Sequence, residues 1–218
     1  SGLSLENGYA SKKGGAILMT GNSDLTVNGG TISDNIAKNG GAIAIKGGST
    51  LSLEGVSLSG NNASRDGGAI FARGGSDVSA VGSTFDANIA DDDGGAISIA
   101  SGALILDASI FTNNVADDRG GAVDAVKATQ MTATDSVYDT NIAGDDGGAL
   151  RIFKGGAVTL IGSRFSGNKS GDNGGAVATI ANDTVTIEES TFEGNRAADD
   201  GGALRIFKSE FLRLANSI

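Results

Sequence analysis

Residues 85–97 read FDANIADDDGGAI, and the same frame returns as FTNNVADDRGGAV at 111–123, FSGNKSGDNGGAV at 165–177 and FEGNRAADDGGAL at 192–204. Working outward from these four copies, the tripeptide Gly-Gly-Ala starts at Gly14, Gly40, Gly67, Gly94, Gly120, Gly147, Gly174 and Gly201, with steps of 26 or 27 residues. A large apolar residue followed three later by Asn precedes seven of them: Ile32/Asn35, Leu58/Asn61, Phe85/Asn88, Phe111/Asn114, Tyr138/Asn141, Phe165/Asn168 and Phe192/Asn195. The octapeptide GGALRIFK stands unchanged at 147–154 and 201–208. A fixed period of ~20–50 residues is the signature of a solenoid, propeller or array.

The contents of one period choose among these. Short alternating stretches follow each Gly-Gly-Ala, as in Ile43-Ala44-Ile45. Others come about ten residues later, as in Leu51-Ser52-Leu53, and a third set ends on the Phe position, as in Ser83-Thr84-Phe85. Alternation with period two marks strands, and nothing in the period offers a helix face. A propeller blade needs ~40–45 residues. The pattern therefore predicts an all-β parallel β-helix, a single domain over 1–218. It has about eight coils, starting near 14, 40, 67, 94, 120, 147, 174 and 201, with three short strands each. Identical positions stack along the axis at ~4.8 Å. The Gly pair admits positive φ and close backbone approach at a corner. Ile17, Ile43, Ile70, Ile97, Val123, Leu150, Val177 and Leu204 are expected inside, as are Phe85, Phe111, Tyr138, Phe165 and Phe192. The Asn column is expected as an inward ladder that satisfies turn backbone.

Composition narrows function. The 218 residues hold 36 Gly but no Pro, Cys, His or Trp. That excludes disulfides, thiol catalysis, cysteine-based metal sites and the Ser-His-Asp triad. A net charge of −10 argues against a nucleic-acid surface. No apolar run approaches the ~18–20 residues of a membrane helix. The opening Ser and the lack of a signal-peptide pattern lead us to expect a processed product or a segment of a longer solenoid.

The pairing of GGA[ILV] with FxxN resembles the passenger domains of chlamydial polymorphic outer-membrane proteins and related bacterial surface β-helix proteins. The resemblance covers nearly the whole chain, with Ile32 and Leu58 replacing Phe in the early coils. It implies a right-handed winding, export through an autotransporter barrel, and adhesion at an extracellular, bacterial cell-surface location. These 218 residues contain no barrel and no cysteine, which many such passengers carry.

The turn before each Gly-Gly carries the most distinctive chemistry. It begins basic, with Lys12-Lys13, Lys38 and Arg65, and becomes acidic, with Asp91-Asp92-Asp93, Asp117-Asp118, Asp145-Asp146, Asp172 and Asp199-Asp200. Residues 1–66 balance five cations against five anions, whereas 67–218 carry eleven against twenty-one. Stacked carboxylates repel, and a hard cation relieves them. Asp92, Asp118, Asp145, Asp172 and Asp199 are thus candidates for weak Ca²⁺ binding, against the plainer reading of a solvated acidic corner.

The same gradient gives the rod an electrical direction that suits head-to-tail stacking into a fibre, a non-closing contact. A polysaccharide lyase or hydrolase would draw on the outward residues Asp124, Arg151 and Arg205, but they are sparse and no coil has room for a cleft-forming loop. Leu18, Phe71, Phe153 and Phe207 are expected as exposed apolar residues that suit a lateral contact. The sequence thus points to a non-enzymatic structural or adhesive surface protein without catalytic residues. Its partners would be other protein surfaces, copies of itself, or cell-surface glycans or receptors, with no nucleic acid and no membrane insertion of this segment.

Overall fold

The computed structural model describes residues 2–217; Ser1 and Ile218, the ends of the expected domain, lie outside the described residues. The chain winds as a right-handed parallel β-solenoid of about eight turns. Four parallel sheets run along it, each of eight strands, and every strand pairs with its counterparts in the neighbouring coils. At ~4.8 Å per coil the stack extends roughly 35 Å. No helix occurs among the described residues, so none is long and apolar enough to cross a membrane.

Coil 4 shows the plan. Strand Thr84–Asp86 belongs to the first sheet, Ile89–Ala90 to the second, Ile97–Ala100 to the third and Ala103–Asp107 to the fourth. Each coil thus has four strands, not the three expected. The extra one lies between the Asn and the Gly-Gly. It spans only two residues in coils 3 to 8, too few for alternation to register in a sequence.

The core follows the expected columns. Ile43, Ile70, Ile97, Val123, Leu150 and Val177 are buried, while Ile17 and Leu204 in the outermost coils are partly exposed. The aromatic rings stack face over face from Phe85 to Phe192, with centroids 4.5–5.0 Å apart and planes within 7° of parallel. Isolated ring pairs prefer offset or edge-on arrangements. Here the hydrogen-bonded ladder sets the spacing, and the rings follow it.

The Asn column closes its own hydrogen-bond accounts. Asn88 Nδ2 donates to Leu58 O at 3.0 Å and to Asn114 Oδ1 at 3.0 Å. Its Oδ1 accepts from the backbone N–H and the Nδ2 of Asn61 at 3.1 and 2.9 Å. Both donors and both acceptors of a fully buried amide are thereby used, as burial requires.

A second ladder, unforeseen from the sequence, runs beside it. Ser83, Ser109, Ser136 and Ser163 each donate a backbone N–H to the hydroxyl of the serine one coil on, at 3.2–3.3 Å. The readable signal is a Ser two residues before each aromatic of the stacked column, Phe85 to Phe192.

At the corner, Gly94 has φ +69°, and a Cβ on Gly95 would collide with the carbonyl oxygens of Gly121 and Val115. Only glycine fits where one coil lies this close on the next.

Candidate functional site

Chemistry concentrates on the corner before each Gly-Gly and on the outer side of the adjoining third sheet. Two corner columns are set by backbone hydrogen bonds. In the first, the N–H of Asp92 donates to Arg65 O at 3.0 Å, Asp118 to Asp92 at 3.0 Å, and Asp145 to Asp118 at 2.6 Å. Asp172 then donates to Asp145 at 3.0 Å and Asp199 to Asp172 at 2.8 Å. The five candidate carboxylates therefore stand one per coil in a single file. Arg65 Nε meets Asp92 Oδ2 at 3.0 Å, whereas Asp118, Asp145, Asp172 and Asp199 have no cation partner among the described residues. The Asp145 carboxyl is pushed above the usual aspartate range, first by lost hydration and then by the charges of Asp118 and Asp172. Among the described residues no three acidic side chains close into a group able to hold a metal ion.

The second corner column is cross-linked. Asn39 Nδ2 donates to Asp66 Oδ2 at 3.0 Å, and Asn173 Nδ2 to Asp146 Oδ1 at 2.9 Å. Arg119 grips Asp93 through Nε and Nη2 at 3.0 and 3.2 Å. A two-point guanidinium–carboxylate pair fixes geometry as well as charge.

The third sheet's outer face is where the structure departs most from expectation. Its first outward column reads Leu18, Ala44, Phe71, Ser98, Asp124, Arg151, Ala178 and Arg205, in unbroken register. From Ala44 to Ala178 these residues are buried although they point away from the core. Arg151 Nη1 donates to Asp124 Oδ1 at 2.9 Å, with the two side chains 7% and 1% exposed. The Arg151 guanidinium also lies 4.7 Å from the centre of the Phe153 ring. Burial pushes the Asp124 carboxyl up to about 6, with Arg151 opposing and Asp93 adding to the rise. Asp93 rises for the same leading reason, with Arg119 opposing. Ser98 Oγ, next in the file, has no hydrogen-bond partner among the described residues.

The candidate trio is therefore divided. Asp124 and Arg151 come together as a buried pair, while Arg205 stands two coils away beside Ala178. A pair with side chains only 7% and 1% exposed is poorly placed to meet a polymeric substrate, although Arg151 Nε is left without a hydrogen-bond partner among the described residues. Of the residues expected as exposed apolar, Leu18 and Phe207 are 53% and 44% exposed and Phe153 is partly so. Phe71 is buried at 6%, because Arg73 and Lys13 lie against its ring at 4.8 and 5.3 Å. Exposed Ile36, Ile89 and Ile142 on the second sheet escaped notice, since that sheet's strands were not anticipated.

At the start of the corner, the lysines flagged in the sequence join residues that were not grouped with them. Lys12, Lys13, Lys38, Arg65 and Arg73 line an open cleft of about 450 Å³ with Asn39, Asp66 and Phe71.

Among known families, the right handed beta helix region matches residues 1–136. The Chlamydia polymorphic membrane protein repeat matches residues 162–180 and 189–206. No curated protein and no solved structure matches the chain.

Proposed function

Since the chain belongs to the family of right-handed beta helix regions, we propose that it is a non-enzymatic, surface-exposed passenger segment with an adhesin-like role. The observation that carries this reading is the polymorphic membrane protein repeat at 162–180 and 189–206, set in a stack whose coils vary by one residue in length. Such a stack is all scaffold. Every strand is held by neighbours on both sides except in the end coils, and the coils present side chains rather than loops to the outside. In the repeat family the surface of the bacterial outer membrane is the implied setting.

The locked Asp124–Arg151 pair supports the non-enzymatic half. Cleavage of an acidic polysaccharide needs a base or acid free to reach the sugar, and these two side chains are buried beneath the surface of the sheet.

The test is exposure on intact cells. An antibody raised against the chain should label unpermeabilised cells that make it, and external protease should remove the label. Labelling that appears only after permeabilisation would contradict the reading. So would release of new chain ends from acidic polysaccharides incubated with the purified chain.

A further inference from the structure

The cleft at the start of the corner has a built floor. Phe71 is clasped by the Arg73 guanidinium at 4.8 Å and the Lys13 ammonium at 5.3 Å from the ring centre. Cations held over an aromatic face lose freedom and keep their charge. Asp66, 9% exposed, takes the Asn39 amide at 3.0 Å and Arg73 Nη2 at 3.6 Å. Lys12 and Lys38 stand beside this floor, and neither they nor Lys13 are paired with a carboxylate among the described residues. The cleft thus gathers five cations against one carboxylate on a chain of net charge −10. Its size, about 450 Å³, falls within the ~300–1,000 Å³ of ordinary ligand sites.

We propose that this cleft binds an acidic sugar unit, sulfated or carboxylated, of a polysaccharide. The three unpaired lysines, two on coil 1 and one on coil 2 at ~4.8 Å, supply the field for the anionic group. Asp66 and Asn39 supply what a bare anion does not need, acceptors and donors for sugar hydroxyls. The basic stretch ends after three coils, where Asp91, Asp92 and Asp93 begin. An extended polyphosphate such as a nucleic acid, which needs a long basic track, does not fit. The first acidic coil adjoins the cleft and its Asp92 takes the Arg65 guanidinium at 3.0 Å, so the free field of the cleft comes from the lysines of coils 1 and 2. A second copy's acidic corner is the competing occupant: its Asp92, Asp93 and Asp146 are tied to Arg65, Arg119 and Asn173, but its Asp118, Asp145, Asp172 and Asp199 have no cation partner among the described residues, and sedimentation separates the two. The sugar origin of the ligand rests on the surface reading above; the anion site itself does not.

The experiment is calorimetric titration of the purified chain with a heparin-derived tetrasaccharide, its desulfated and N-acetylated counterpart, a polygalacturonate oligomer and inorganic sulfate. The sulfated or the uronic oligomer should bind more tightly than sulfate alone. Raising salt from about 50 to about 200 mM should weaken that binding about tenfold. The double variant Lys12→Glu/Lys38→Glu, which leaves the Lys13 clasp on Phe71 in place, should weaken it by more than tenfold while leaving the melting temperature within a degree or two. Binding unaffected by that variant, or no preference for the oligomers over sulfate, would overturn the proposal. Sedimentation showing self-association that the variant abolishes, without oligosaccharide binding, would assign the cleft to a second copy and overturn it as well. Surface labelling without oligosaccharide binding sinks the site alone; binding by a chain found only inside cells sinks the surface reading and leaves the site.

Discussion

The octapeptide GGALRIFK occurs twice and does two different things. In coil 6, Leu150, Arg151 and Ile152 are buried; in coil 8, Leu204, Arg205 and Ile206 are only partly covered and Phe207 is 44% exposed. One local feature is common to both. The Arg and the Lys of each copy clasp the Phe ring, at 4.7 and 4.8 Å around Phe153 and at 5.1 and 5.0 Å around Phe207. The ion pair is not common. Arg151 has Asp124 one coil back, and Arg205 has Ala178 in the same place. In a stacked coil the sequence of one repeat sets its path, and the repeats on either side set what its side chains do. Stability in such arrays is a sum of intrinsic and nearest-neighbour terms, and these two copies separate the second from the first.

Paired substitutions break the comparison most sharply at the second glycine. A Cβ on Gly148 would strike the carbonyl oxygen of Gly175 and the backbone at Lys169, whereas one on Gly202 meets nothing nearer than 3.9 Å. Gly148→Ala should destabilise by about 4 kcal/mol or more, and Gly202→Ala should stay within about 0.5 kcal/mol. Chemical denaturation of the two variants checks this. Next in size is Arg151→Ala, which strands the Asp124 carboxylate in a buried site and should cost about 3–5 kcal/mol at pH 7. Arg205→Ala has no carboxylate to strand and should cost under about 1 kcal/mol. The Arg151→Ala penalty should shrink at pH 5, where the stranded group takes up a proton.

The pH dependence of the unaltered chain sharpens the same point. Burial raises Asp124 to about 6, above the ~3.9 of an unfolded aspartate, so the folded chain holds this proton more tightly. The resulting stability is fully present below the unfolded value and is lost as pH rises through about 6. The melting temperature should therefore be lower at pH 7 than at pH 5, by about 2–4 °C for each 1 kcal/mol of linkage. Asp124→Asn should flatten that slope, and no change in coil 8 should.

A smaller gain is expected at the aromatic stack within coil 6. The Tyr138 hydroxyl is buried without a partner, and burial drives its ionisation well above the usual phenol range. Tyr138→Phe should leave the stack in place and stabilise by about 1 kcal/mol, read as a shift in denaturation midpoint.

What the sequence disclosed divides along the same line. The Gly corner, the Phe and Asn columns and the file of aspartates are within-repeat regularities, and each occupies the column that its spacing implies. The two-residue strand at Ile89–Ala90 was hidden because two residues carry no period. The burial of Phe71, Asp124 and Arg151 was hidden because it depends on side chains reaching over from the corner and from adjacent coils. The cleft was half legible: its lysines stood out as a basic start to the corner, but Phe71 and Arg73 belong to the next strand, and only folding brings them under Lys13.

The central claim is that this rod is an adhesive surface segment rather than a catalyst. Its most direct test is to coat beads with the purified chain and count their attachment to cell layers. The account predicts saturable attachment that soluble chain competes away. Attachment no greater than that of beads coated with an unrelated acidic protein would contradict it.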